Sequence, residues 1–121
     1  MKKIILFALM FFCILGVAEA QVCKISGSGD NVEVYSASIE NNNTVVVTVG
    51  NDSQNISANV TVTVEVTYTA NGYSTKTYSF TGKGLSKPNQ ESIIRISIPS
   101  EKENRNPDSV KVTQISGTKC N

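Results

Sequence analysis

At 121 residues, with 11 Lys plus Arg against 10 Asp plus Glu and no histidine, the chain has room for one domain and carries no charge excess. After Lys2 and Lys3 its cations are isolated, without the basic block on which binding to nucleic acids and anionic membrane surfaces depends. The missing imidazole excludes serine–histidine and cysteine–histidine nucleophiles and every histidine-ligated metal.

The chain opens MKKIILFALMFFCILGVAEA. Lys2 and Lys3 form a positive n-region, Ile4 to Val17 is an apolar run too short for a membrane span, and Ala18-Glu19-Ala20 is a small-x-small cleavage signal. Residues 1–20 are therefore expected to be a cleaved secretory signal peptide. Residues 21–121 are expected to form a single domain that is secreted, periplasmic or held at the cell surface. Cys13 leaves with the signal, and Cys23 and Cys120 remain. In an oxidising compartment such a pair has one connectivity. The Cys23–Cys120 disulfide would close a loop of roughly 100 residues, for which chain entropy gives about 4.7 kcal/mol. A metal or redox role is the weaker reading, because there is no C-x-x-C and no histidine to join the pair.

No segment after Ala20 holds a helical apolar period, whereas apolar–polar alternation recurs, which predicts strands throughout. Val22 to Ser26 is a short strand bearing Cys23, closed by the turn cluster Gly27-Ser28-Gly29-Asp30. Val32 to Ile39 follows, then a loop from Glu40 to Asn43. Thr44 to Val49 is uncharged and β-branched, the composition of an aggregation-prone segment. It is expected between two neighbouring strands, buried on both faces. After Gly50-Asn51-Asp52-Ser53 comes the longest strand, Ala58 to Ala70. It sets Val60, Val62, Val64, Val66 and Tyr68 on one side and Thr61, Thr63, Glu65, Thr67 and Thr69 on the other.

Asn71-Gly72 predicts a type I′ hairpin turn, which needs positive φ at both central residues. Tyr73 to Thr81 returns as the partner strand, and Gly82 to Gln90 reads as a longer loop containing Pro88. Ile93 to Ile98, a charged loop from Ser100 to Ser109, and Val110 to Ile115 complete the series. About seven short strands over about 100 residues is the pattern of an all-β, antiparallel, immunoglobulin- or fibronectin-III-like sandwich. There is no tryptophan, so the antibody-type Cys…Trp…Cys core is absent.

From Val45 to Ser97 the layout has recognisable parts. An apolar strand ends in Asn51-x-Ser53, then come Val60-x-Val62-x-Val64-x-Val66-x-Tyr68, the Gly72 turn, and Leu85 and Pro88 ahead of an Ile-rich strand. In this order the chain resembles the FxLYD-type and bacterial cell-adhesion-related extracellular sandwich domains, which are immunoglobulin-like. It departs from them in having Asn89 where Pro is usually followed by Gly, and in lacking the F-x-L-Y-D run. The resemblance implies a non-catalytic accessory module and carries over no site residues.

The threonine side of the long strand is the candidate binding face: Thr61, Thr63, Glu65, Thr67 and Thr69, with Tyr73 and Tyr78 as possible anchors. A flat Thr-x-Thr array would suit ice, but ordinary sheets twist by roughly 20–25° per strand. No internal repeat holds such rows in register, and threonine suits any wet strand face. Asp30, Asn31 and Asp52, with Glu33 and Asn51 nearby, are weak calcium candidates, since calcium takes roughly six to eight oxygen ligands. Asn and Asp are also the usual turn formers, so no cofactor is expected. With no histidine, no serine in a Gly-x-Ser-x-Gly frame and no spaced carboxylate pair, no catalytic residue emerges.

The expected protein is a monomeric exported module that is not an enzyme. It would bind another exported protein or a surface glycan, with no nucleic acid and no membrane insertion. A structural subunit of a surface or fibre-like assembly is the alternative, and a small histidine-free enzyme the distant one.

Overall fold

The computed structural model describes residues 22–24 and 31–117, and its elements are all strands. They are β1 (Val22–Lys24), β2 (Asn31–Glu40), β3 (Thr44–Asn51), β4 (Ala58–Thr69), β5 (Lys76–Ser86), β6 (Gln90–Ser97) and β7 (Asn106–Gly117). Two antiparallel sheets result, ordered β1-β2-β3-β6 and β5-β4-β7. The all-β class is thus as the alternation predicts. In place of about seven comparable strands, six strands of 8 to 12 residues carry the fold, three in each sheet. The three-residue β1 only borders β2. The predicted signal peptide, the Cys23–Cys120 pairing and Asp30 lie outside the described residues.

Alternation in the sequence becomes an inside and an outside. Along β4, Ala58, Val60, Val62, Val64, Val66 and Tyr68 are buried, while Thr61, Thr63, Glu65, Thr67 and Thr69 stay half-exposed. Val112 and Ile115 of β7 share that core with Val32, Val34, Val45, Val47, Val49, Ile94 and Ile96 of the other sheet, and with Ile98 just after β6. Successive strand side chains point to opposite faces, so phase brings these residues together, and in β7 the extra residue Thr113 lets Val112 and Ile115, three apart, share the inner face. Fully burying each Val or Ile is worth roughly 1.5–3 kcal/mol. β3 does lie between β2 and β6, but it is not buried on both faces. Val45, Val47 and Val49 are buried, whereas Thr44, Val46 and Thr48 remain half-exposed, because the partner sheet covers one side only.

Glycines set how closely the two sheets approach. β5 continues through the first part of the predicted Gly82–Gln90 loop, and pairs with β4 without interruption from Tyr68↔Lys76 to Ala58↔Ser86. Gly82 and Gly84 lie against Ile96 and Ile94 of β6. A Cβ at Gly82 would collide with Ile96 Cγ1, and one at Gly84 would sit 2.8 Å from Ile94 Cγ1. Glycine inside a strand often marks such a close approach, which a loop reading cannot anticipate.

A buried amide holds the crossing between the sheets. Asn51 donates from Nδ2 to the Ile56 carbonyl at 2.8 Å and the Ser86 carbonyl at 3.2 Å, and its Oδ1 accepts from the Ser53 N–H at 2.9 Å. The Ser53 hydroxyl accepts from the Ile56 N–H at 3.0 Å. The 52–57 link is thereby tied both to itself and to the end of β5.

Two turns differ from the sequence reading, at Asn71-Gly72 and within the charged loop, while the turn at Asn41-Asn42 lies in the loop expected there. At Asn71-Gly72 only Gly72 has positive φ, 81°, and the Tyr73 N–H donates to the Ala70 carbonyl at 3.2 Å. That is the pattern of a type II turn, not the expected type I′. β4 and β5 pair only from Tyr68 and Lys76 inward, and beyond that point the Ser74 carbonyl accepts from Arg105. Left-handed pairs occur instead at Asn41-Asn42 and at Glu103-Asn104. Lys102 and Arg105 exchange backbone hydrogen bonds of 2.9 and 3.0 Å, so the predicted charged loop contains a tight hairpin and the start of β7.

Gly82→Ala is expected to lower the unfolding free energy by about 1–3 kcal/mol through overpacking against Ile96. Urea unfolding reads this directly. An unchanged midpoint would mean that β6 does not approach β5 as closely as described.

Candidate binding face

The outer face of β5-β4-β7 carries the side chains that alternation turns away from the core. Cross-strand register arranges them in rows: Lys83–Thr61–Ser116, Thr81–Thr63–Gln114, Ser79–Glu65–Lys111, Thr77–Thr67–Ser109, and finally Thr69 beside Asn106. The Thr63 and Thr81 hydroxyls are 3.5 Å apart, those of Thr67 and Thr77 3.3 Å, and Glu65 meets Lys111 at 3.7 Å. The Thr113 hydroxyl, at a bulge in β7, donates to the Thr63 carbonyl at 3.2 Å. The threonine hydroxyls therefore stand in ordered positions across the sheet. Thr61, Thr63, Glu65, Thr67 and Thr69 lie together here, as their spacing predicts. Tyr73 stands beyond the end of β4, 53% exposed, with the Arg105 guanidinium 5.3 Å from its ring centre.

The two ends of the face differ. At the Asn59 end, a shallow hollow of about 700 Å³ is lined by Asn59, Thr61, Lys83, Leu85 and Ser116, with Gly84 and Gly117 beside them. Leu85, 45% exposed, gives it an apolar wall. At the other end of the strands, on the side of the sheet that faces the core, aromatic rings and charges form a clasp. Tyr68 packs edge-on against Tyr78 with ring centres 5.5 Å apart, and its hydroxyl donates to the Pro99 carbonyl at 2.7 Å. Lys76 donates to the Glu103 carboxylate at 2.7 Å, the Tyr78 hydroxyl donates to it as well, and the Lys102 ammonium lies 4.7 Å from the Tyr78 ring centre. Its bond from Lys76, then that from Tyr78, holds the Glu103 carboxyl at about 2, well below its ordinary 4.5. Buried Arg105 donates to the Ser74 and Glu103 carbonyls. Sequence reasoning put Tyr68, Lys76 and Tyr78 on strands but left Lys102, Glu103 and Arg105 in a loop, because the partners are far apart along the chain.

The opposite sheet has an acidic corner. Tyr35 is an extra residue in β2, between the pairs Val34↔Val49 and Ser36↔Thr48, and its ring lies where a Cβ at Gly50 would have to go. Glu33 and Glu91 flank Gly50 in register. Burial, then the charge of Asp52, pushes the Glu33 carboxyl above its ordinary value. Burial, then Glu33, Glu91 and Asp52, pushes the Tyr35 hydroxyl up. Of the calcium candidates, Asn31 donates its backbone N–H to Asp52 Oδ1 at 2.7 Å, a bond that fastens the start of β2. Among the described residues, no group of three or more His, Cys, Asp or Glu side chains is placed to hold a metal ion.

What the threonine face offers chemically is an array of hydroxyls with a few charges at its middle and one end. Such a surface suits docking through hydrogen bonds. Among the described residues no helix is long and apolar enough to cross a membrane. No protein-family model, curated protein or solved structure matches this chain.

Two titrations follow, with opposite signs. Glu33 has a raised folded pKa, so its contribution to stability is fully present below about 4.5 and is lost as pH rises through the folded value. Glu33→Gln is expected to raise the melting temperature near pH 7 and to change it little near pH 4. Equal destabilisation at both pH values would show a carboxylate that is held, not crowded. Glu103 has a depressed pKa, so its contribution is present above about 4.5 and lost as pH falls through about 2. An NMR titration should place its midpoint at about 2, and Lys76→Ala should return it toward 4.5. An ordinary midpoint in the parent chain would contradict the clasp.

Proposed function

We propose that the protein is an exported, non-catalytic sandwich module of the immunoglobulin/fibronectin-III kind that binds another exported protein through the outer face of β5-β4-β7. The observation that carries this reading is the register of that face. Four successive rows set hydroxyl, amide and charged groups side by side over all three strands. Between those rows the side chains point into the core, so the face is rigidly backed. A rigid array costs little ordering on binding.

The fibronectin-like part of the reading is supported by strand order. With β1 set aside, β2-β3-β6 opposite β5-β4-β7 is the connectivity of the first six strands of such sandwiches. The resemblance to FxLYD-type and adhesion-related domains from Val45 to Ser97 points the same way. A protein partner is favoured over a glycan because no aromatic ring lies within the rows to stack on a sugar. Tyr73, beyond the strand end, is engaged with Arg105. The signal-like opening of the chain supports export to the periplasm, cell surface or medium.

The chain recovered after export, immobilised and exposed to envelope and culture-fluid extracts, is expected to retain a reproducible partner identifiable by mass spectrometry. Changing Thr63 and Thr67 together to Lys places two cations in the middle of the rows and should reduce retention at least about tenfold. A partner held equally well by that variant, or none captured by folded chain, would sink the reading.

A further inference from the structure

The sheet formed by β1, β2, β3 and β6 ends at β6, and the geometry of that edge is specific. Ile98 donates its N–H to the Asn43 carbonyl at 3.0 Å, in register with the β3–β6 ladder. Backbone groups alternate along an antiparallel strand. Those of Ile94 and Ile96 therefore face β3, and those of Glu91, Ile93 and Arg95 point sideways, away from the sheet. Such an edge is a template for another strand.

The remaining edges carry devices that discourage pairing. β7 is interrupted by bulges at Thr113 and Asp108 and carries Pro107 and Lys111. β1 has three residues, and β5 bears Lys76 and Lys83. β6 contains no proline and pairs with β3 without a register shift from Gln90 to Ser97. At its centre stands Ile93, 57% exposed, ahead of Tyr73 and Leu85.

We propose that β6 pairs with β6 of a second copy of this chain, antiparallel about a two-fold axis at Ile93, so that two sheets join edge to edge. The strand is complementary to itself in that register. With Ile93 opposite Ile93, Glu91 of each copy falls opposite Arg95 of the other on the same face. Directly opposite residues have Cβ atoms about 5 Å apart, within reach of an ion pair. Slipped registers set Ile93 against a charge, or Glu91 or Arg95 against its own counterpart. A two-fold interface needs this reciprocity, residue i on j and j on i. Glu91 has no ion-pair partner among the described residues, and Arg95 is joined only to exposed Glu40 at 2.8 Å. Both groups are therefore available.

This association goes beyond partner binding through the threonine face, uses the other sheet, and replaces the monomer expected from sequence. One strand pair buries less than the roughly 1,200–2,000 Å² of a standard interface, so the dimer is weak, with a Kd on the order of 100 µM.

Sedimentation equilibrium of the exported chain, over concentrations spanning that value, is expected to show monomer and dimer in exchange. Glu91→Arg and Arg95→Glu each lie at exposed positions, and each should weaken association about tenfold or more by opposing like charges. Mixing the two variants should restore it as a hetero-pair, because each reversed side chain then meets its complement. Circular dichroism verifies that both remain folded. A chain that stays monomeric throughout, including one whose edge is taken by a strand of another protein, overturns the proposal. So does a dimer indifferent to both reversals.

Discussion

Where the chain leaves one sheet and enters the other, the buried Asn51 amide meets the Ile56 and Ser86 carbonyls and the Ser53 N–H. Left unpaired, each of those backbone groups would cost about 1–3 kcal/mol. The amide does more than satisfy them. It fixes the path of residues 52–57, and so the phase in which β4 begins at Ala58. A slip of one residue would exchange the two faces of the strand. Val60 through Tyr68 would then turn outward, and the threonines would enter the core. The inside of the molecule and its candidate binding face thus depend on one hydrogen-bonded corner. The nearby Ser86 hydroxyl is buried without a hydrogen-bond partner among the described residues, so among these residues polar satisfaction at this corner is nearly complete but not total.

A second constraint acts across the sandwich. Gly82 and Gly84 give up side chains so that Ile94 and Ile96 can sit against the β5 backbone. This draws β5 and β6 together and closes one flank of the core by contact, without a ladder of hydrogen bonds. The strand that supplies the isoleucines inward also presents Ile93 and its flanking charges outward. The same alternation therefore serves the core and the edge.

The two outer surfaces contrast in how their polar groups are arranged. On the threonine face, hydroxyls stand in cross-strand pairs and Glu65 lies beside Lys111. On the other sheet, Glu33 is buried near Asp52, and Tyr35 covers Gly50. One surface has its charges offset, and the other concentrates like charges under an aromatic ring. The clasp of Lys76, Tyr78, Glu103 and Lys102 is compensated internally, which suits a structural end better than an open site.

Much of this was legible in the residues. Strand identity follows from period-two alternation, which reports burial directly, and the five strand residues of the threonine face follow from the same rule. The boundaries were harder, because glycine is read as a loop former when its neighbour across the sheets is unknown. Gly82 and Gly84 have meaning only beside Ile96 and Ile94. Asn51 looked like a turn residue or an oxygen ligand, since its side chain offers the same atoms to a turn, a cation or a buried carbonyl. The residues alone determined an all-β chain with a threonine-rich strand side and no histidine chemistry. Only the tertiary structure decided which strands stand at the edges, which charges meet across the loops, and that Glu91, Ile93 and Arg95 point away from their own sheet. Those properties belong to pairs of residues distant in sequence, and periodicity along a single strand carries no record of its neighbours.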